Sequence, residues 1–320
     1  MLRQFNMPNR RTVIAGLAAS TLALGYDAQT ARAGQPSLQF KTGKALPAIG
    51  MGTWQTFNIN PHINPLANPE TNPERKALLR RRQVLKEFYK AGGGMIDSSP
   101  MYGRAEAVLG VTRNPEEEKK TLFSATKIWT PLKSHGAAQL SKSHRLWKEP
   151  VLDLVYVHNL LNWEDHLKTL RAAQDAGTVR YIGLTTSHGR RHDDLETLIM
   201  SEPIEAVQIT YNVLNREVEN RLLPLIEEKG LSLIINRPFM GGHLFRHVAG
   251  KDIPPWAAES LQIESWAEFF LKYVISHPAV SGAIPATSNP AHMQENMRAR
   301  LGPMPGAKLR EKMAAFMAEI

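Results

Sequence analysis

Gly92-Gly93-Gly94-Met95-Ile96-Asp97-Ser98-Ser99-Pro100-Met101-Tyr102-Gly103 is the stretch on which the reading of the fold turns. Three glycines close a helix-like run that reaches back to about Pro73. Met95-Ile96 then reads as a short buried strand that stops on a carboxylate. A tyrosine follows five residues later. A strand ending at Asp97 and a loop carrying Tyr102 is how a (β/α) enzyme sets chemistry at the carboxyl edge of its sheet. Taken alone, Asp97 would read as a helix N-cap; the segments around it argue otherwise.

Downstream the pattern alternates regularly. Thr121 to Ile128, Asp153 to His158, Val179 to Leu184, Glu205 to Ile209, Leu231 to Ile235 and Val280 to Ile284 read as strands. Between and after them, Trp163 to Ala176, Arg191 to Met200, Glu217 to Lys229, Ser260 to Ser276, Pro290 to Arg300 and Lys308 to Ala318 read as helices. Gly177 and Gly230 stand where helix ends favour glycine. Upstream, Ala48 to Trp54 is a strand, preceded by a hairpin over Leu38 to Pro47 that turns at Thr42-Gly43. Phe57 to Pro73, with Pro61, Pro65 and Pro69, is a long loop. Eight strands alternating with helices predict an α/β chain, a (β/α)8 TIM barrel with an N-terminal β-hairpin. An open parallel sheet is the alternative. No G-x-G-x-x-G follows an early strand, which disfavours a doubly wound dinucleotide domain.

The 320 residues suit one barrel of this kind, and there is no cysteine, so disulfides and thiolate nucleophiles are excluded. The net charge of +9 is scattered; its densest run, Arg80-Arg81-Arg82, falls on a helical segment and reads as a solvated face. No basic-aromatic module suggests nucleic acid. Residues 1–33 are set apart from the fold. Arg10-Arg11 precede an apolar run from Val13 to Gly25 too short to span a bilayer, and Ala31-Arg32-Ala33 offers a cleavage site before Gly34. This resembles a twin-arginine export signal, which implies passage through the Tat translocase, a periplasmic location and no stable membrane anchor. The expected domains are therefore the signal, 1–33, and the barrel, 34–320.

In such a barrel the carboxyl ends of the strands converge on one mouth. Asp97, Lys127 and His158 each end or nearly end an apolar strand, and Tyr102 lies one loop turn beyond Asp97. A phenol is a weak acid, with a reference pKa near 10. A neighbouring ammonium favours its phenolate, so Lys127 is expected to lower the pKa of Tyr102, with Asp97 holding Lys127 charged. His158 would donate a hydrogen bond to a substrate oxygen. Together the four could protonate a carbonyl oxygen, or take the proton back.

These segments resemble the aldo-keto reductase superfamily, over about Phe40 to Asn296. The matching motifs are Gly52-Thr53-Trp54, Gly94 to Gly103, Thr126-Lys127-Ile128-Trp129, Asp153 to His158 and Ile284 to Asn296. The resemblance implies an NAD(P)-dependent oxidoreductase that interconverts an aldehyde or ketone and an alcohol. The catalytic tetrad is then Asp97, Tyr102, Lys127 and His158, with Tyr102 as general acid. It implies that the cofactor, NADP or NAD with NADPH favoured, is held by Thr53, Thr185, Thr186, Gln208, Asn236, Arg237, Thr287, His292, Glu295 and Asn296. Trp54 and Trp129 would line the substrate pocket. Some positions depart from the family pattern. Thr185 and Thr186 replace a Ser-Asn pair. Asn236 replaces an aromatic, for which Arg237 could compensate by stacking or by binding pyrophosphate. Ala286 and His292 stand where many members carry basic residues for the 2′-phosphate. These departures keep a second reading open, a non-catalytic nucleotide-binding or redox-sensing barrel with a protein partner. Two His-x-x-x-His pairs, His188/His192 and His243/His247, have helical spacing but no third ligand nearby, so no metal is expected.

Overall fold

The computed structural model describes residues 37–39, 45–118 and 121–320. The expected export signal, its cleavage site and the Thr42-Gly43 turn lie outside them. Strands β1 (Ser37–Gln39) and β2 (Ala45–Pro47) pair antiparallel as the hairpin. Eight parallel strands follow in sequential order: β3 (Met51–Gly52), β4 (Met95–Asp97), β5 (Phe123–Ile128), β6 (Leu152–His158), β7 (Val179–Thr185), β8 (Ala206–Thr210), β9 (Ser232–Asn236) and β10 (Gly282–Ala283). Parallel bridges Ile49–Ala283 and Gly52–Ala286 join the two edges, so the sheet closes on itself as a (β/α)8 barrel.

Helices α1 (Pro73–Lys90), α2 (Ala105–Thr112), α3 (Pro115–Glu118), α4 (Gly136–Trp147), α5 (Trp163–Asp175), α6 (His192–Ser201), α7 (Leu222–Glu228), α8 (His243–His247), α9 (Pro255–Leu261), α10 (Trp266–Ile275), α11 (Pro290–Arg298) and α12 (Ala307–Glu319) complete the described chain. Their starts are set by local chemistry. Asn72 caps α1 by accepting from the Arg75 amide at 2.9 Å, and Pro73 fills the first turn, where no N–H is needed. Along α1, Leu78, Val84, Leu85, Phe88 and Tyr89 form one buried face. None of the described helices is long and apolar enough to cross a membrane.

Three expectations are corrected. The helix expected over Ser260 to Ser276 is two: α9 stops at Gln262, whose backbone is left-handed (φ 52°), and Ser265 opens α10 with a reciprocal capping box to Glu268. The helix expected from Glu217 is a 3-10 turn (Glu217–Glu219) followed by α7, because Pro224 is tolerated only in a first helical turn. His188 and His192 do not share a helix face, since α6 begins only at His192. Helices α2 and α4 were not anticipated. Buried Glu106 ties them together, accepting from Thr126 Oγ1 (2.7 Å), Trp147 Nε1 (2.9 Å) and Ser143 Oγ (3.1 Å).

Candidate active site

Strand alternation builds the site. Met95, Phe123, Ala125, Leu154, Tyr156, Tyr181, Ala206, Ile234 and Ile284 form one apolar cluster, and Leu46 of β2 joins it. Their outward neighbours, such as Ile96, Val155, Val157, Ile182, Val207 and Leu233, pack in the separate cluster beneath the helices. Two residues past an inward position, six of the eight parallel strands present a polar group. These are Asp97 after Met95, Lys127 after Ala125, His158 after Tyr156 and Gln208 after Ala206. Asn236 follows Ile234, and Thr185 lies one step beyond Gly183. The barrel is thus apolar below and polar at its carboxyl mouth. Gly183 is needed in this packing, since a Cβ there would sit 2.5 Å from the Tyr156 ring.

At the mouth, Lys127 Nζ donates to Asp97 Oδ1 at 2.6 Å and to the Ser98 carbonyl at 2.8 Å. Lysine and aspartate are each 1% exposed, so neither charge could persist without the other. Gln208 Nε2 donates to the second carboxylate oxygen at 2.9 Å, and Thr53 Oγ1 lies 3.0 Å from the Asp97 carbonyl. Burial works against the charge on Lys127, but Asp97 and the Tyr102 oxygen outweigh it and its pKa lies above the ordinary value. Burial also pushes the Asp97 carboxyl up, against the pull of Lys127.

Tyr102 sits on a 3-10 turn, Pro100–Tyr102, opened by Ser99. Lys127 Nζ lies 5.0 Å from the centroid of its ring. The expected lowering of its pKa is corrected here. Burial raises the phenol, with the Asp97 charge adding to it; Lys127 pulls the other way and does not win. The hydroxyl is therefore protonated at neutral pH. The rings of Tyr102 and His158 meet edge to face, with centroids 6.0 Å apart. His158 is 4% exposed, and burial, helped by Lys127, holds its pKa down to about 3. The imidazole is neutral, so one nitrogen accepts and one donates. Ser99 faces this ring. Its Oγ accepts from the Met101 amide at 3.1 Å and lies 3.1 Å from His158 Nδ1. The hydroxyl can donate to Nδ1 or accept from it, so this contact orients the ring and serves either tautomer. Sequence reasoning passed over Ser99, although it stands inside the deciding stretch.

The expected cofactor residues fall into two groups. Around β7 to β9, Thr185 Oγ1 lies 3.3 Å from Gln208 Oε1, and Asn236 bridges Thr210 Oγ1 (2.7 Å) and the Thr186 carbonyl (2.9 Å). Thr186 Oγ1 is buried with no partner. Beyond β10, a cavity of about 750 Å³ is lined by Thr287, His292, Glu295 and Asn296, with Phe245, Lys251 and Trp266 also on its walls. Thr287 Oγ1 accepts from the Asn289 amide, and Asn289 caps α11. Asn296 is 1% exposed and its Nδ2 has no partner. Buried polar atoms without partners are costly, and two of them on the expected dinucleotide path fit a polar ligand there. Trp266 escaped the sequence reading; only the Ser265/Glu268 capping box hinted at where it begins its helix. Arg237 follows β9 directly. It lies over the Trp54 ring, 5.0 Å from its centroid. Trp129 is 41% exposed at the rim, and its amide and carbonyl are bound by the Gln139 side chain. His247 Nε2 contacts the Met317 carbonyl at 3.1 Å. No group of three metal-ligating side chains occurs among the described residues.

A model of the aldo/keto reductase family matches residues 48–310. The chain belongs to this family, and with it is an NAD(P)-dependent oxidoreductase that interconverts carbonyls and alcohols. Methylglyoxal reductase YeaE of Escherichia coli is 25% identical over 269 residues, covering 82% of this chain and 88% of its own. An aldo/keto reductase from Klebsiella pneumoniae, solved in complex with NADP and acetate, superposes with a TM-score of 0.72. It is 20% identical over 88% of this chain and 95% of that one. An aldo-keto reductase from Bacillus halodurans in its holo form gives 0.68 at 17% identity, over 89% and 96%.

Proposed function

We propose that Tyr102 is the general acid for reduction of a small aldehyde or ketone, held in that role by Lys127, Asp97 and His158. The observation that carries this is the buried Lys127–Asp97 pair with Lys127 Nζ 5.0 Å from the centre of the Tyr102 ring. When bound, the reduced nicotinamide supplies the hydride to the carbonyl carbon. Tyr102 gives its proton to the carbonyl oxygen, and the phenolate left behind is stabilised by Lys127. His158 donates to the same oxygen and fixes its direction. Asp97 keeps Lys127 charged throughout, and Gln208 holds Asp97. Thr185 and Thr186 would hold the nicotinamide end, and Thr287, His292, Glu295 and Asn296 the adenosine end. Lys251 and His292 are the basic groups that favour NADPH over NADH. Trp54 and Trp129 form the substrate walls. A relative named methylglyoxal reductase supports a small carbonyl substrate. The test is Tyr102→Phe: carbonyl turnover should vanish while NADPH affinity, read by fluorescence, is kept. Loss of both together would speak against the assignment.

The sequence of residues 1–33 supports export through the Tat translocase to the periplasm as a folded protein, with cofactor loaded before passage. Mass analysis of protein recovered from the periplasm should find a chain beginning at Gly34 with nucleotide retained. A full-length chain in the cytoplasm would reject export.

A further inference from the structure

Arg237 follows β9 directly, and three features set it apart from the other cations of the mouth. Its backbone is left-handed, at φ 51°, an uncommon conformation for a side chain of this size. Its guanidinium carbon lies 5.0 Å from the Trp54 ring centroid, and a Cβ on Gly241, itself at φ 65°, would come within 3.2 Å of Nη2. The head group thus lies between an indole and a glycine loop. Finally, Nη1 is buried without a hydrogen-bond partner, and no carboxylate among the described residues pairs with Arg237.

The surroundings sharpen the point. His188 packs edge-on to Trp54, with centroids 6.4 Å apart, and its charged form is disfavoured by burial and then by Arg237 and Arg190. The neighbourhood is short of negative charge. A partly desolvated guanidinium without a counter-ion is unfavourable unless something supplies one. Trp54, which Arg237 overlies, adjoins Thr53, whose hydroxyl reaches the Asp97 carbonyl and Ser98 Oγ. Neither Arg237 nor Trp54 lines the adenosine cavity.

We propose that Arg237, backed by Trp54, binds a carboxylate carried by the carbonyl substrate, so that the enzyme prefers oxo-acids over neutral aldehydes and ketones. This rests on the carbonyl reduction proposed above. A planar guanidinium fork is suited to a carboxylate in a way that an ammonium is not.

The full chain is assayed with 4-carboxybenzaldehyde and 4-methylbenzaldehyde, and with benzoate as a non-reacting anion followed by calorimetry. Arg237→Gln should lower kcat/KM for the carboxylated aldehyde about 10- to 100-fold more than for the neutral one, mostly through KM. Benzoate should bind the wild type and not the variant. Should Arg237→Gln fail to fold, Arg237→Lys decides. It should still lose several-fold in the ratio of the two kcat/KM values, because lysine has no fork to stack; an unchanged ratio overturns the proposal. Equal losses on both aldehydes together with weakened NADPH binding would assign the guanidinium to the cofactor's pyrophosphate and also overturn it. If the wild type reduced neither aldehyde yet bound benzoate through Arg237, the anion site would stand and the carbonyl-reduction reading would fall. Benzoate binding indifferent to the substitution removes the anion site whatever the turnover.

Discussion

The two halves of the barrel mouth are built differently. On the half formed by β4 to β6, Asp97, Lys127 and His158 are nearly inaccessible. Lys127, Asp97 and His158 Nδ1 have protein partners within 3.1 Å. On the half formed by β7 to β10, Thr186 Oγ1, Arg237 Nη1 and Asn296 Nδ2 are buried without partners. Apart from the Tyr156 hydroxyl on β6, buried without a partner, the first half is finished as it stands, as groups that must act on a reacting atom with little reorganisation should be. The second half has polar groups left over, which is what a site for a polar ligand leaves before the ligand arrives.

This contrast can be broken most directly on the finished half. Tyr102→Phe should cut carbonyl turnover by about 100- to 10,000-fold, the range of one general acid, in steady-state assays at saturating cofactor. Turnover within tenfold of the wild type would show that another group delivers the proton. Asp97→Asn leaves Lys127 buried without its counter-charge. It should cost about 3–5 kcal/mol in urea unfolding as well as most activity. A variant as stable as the wild type would mean that the lysine does not need the carboxylate.

The unfinished half should respond in affinity. Asn296→Ala is expected to weaken NADPH binding about tenfold, the worth of one buried hydrogen bond to a ligand, and Lys251→Met to weaken NADPH more than NADH. Equal effects of the lysine change on both nucleotides would remove it from 2′-phosphate recognition.

A subtler probe is pH. The folded pKa of His158 is lowered to about 3 from 6.5, so the unfolded chain binds more protons between those values. Its contribution to stability is complete above about 6.5 and is lost as pH falls toward about 3. His277, lowered to about 4 by burial and by Arg310, adds in the same direction. Replacing His158 with Gln should flatten the acid side of the stability profile without removing the His277 share. The smallest effect is assigned to Ser99→Ala, which removes the hydroxyl that orients His158 through Nδ1. It should lower kcat several-fold and shift its pH profile, with KM for cofactor unchanged.

How much of this was readable beforehand follows the same division. Asp97, Lys127 and His158 were legible because period-2 alternation places them one inward step above an apolar position, and Tyr102 because it lies one loop turn beyond Asp97. Any chain that builds those strands must bring them together. The Glu106 network was not legible, since its members come from α2, β5 and α4 and share no spacing. Ser99 was overlooked because a serine beside an aspartate carries no sign of which distant imidazole it will face. The break before α10 could have been read from Ser265 and Glu268. The break at α7 could have been read from Pro224, whose ring fits only the first turn.

By itself the order of residues determined the alternation of strands and helices, the strand count and the four side chains at its working edge, because those depend on local periodicity and on where each strand stops; closure into a barrel was decided by the bridges between the first and last strands. The folded structure alone decided the balance of charges and partners. Burial raised the phenol against the lysine's pull, and Arg237 lay against Trp54 without an anion. Such outcomes depend on desolvation and on neighbours from remote strands, and neither is written in any short segment.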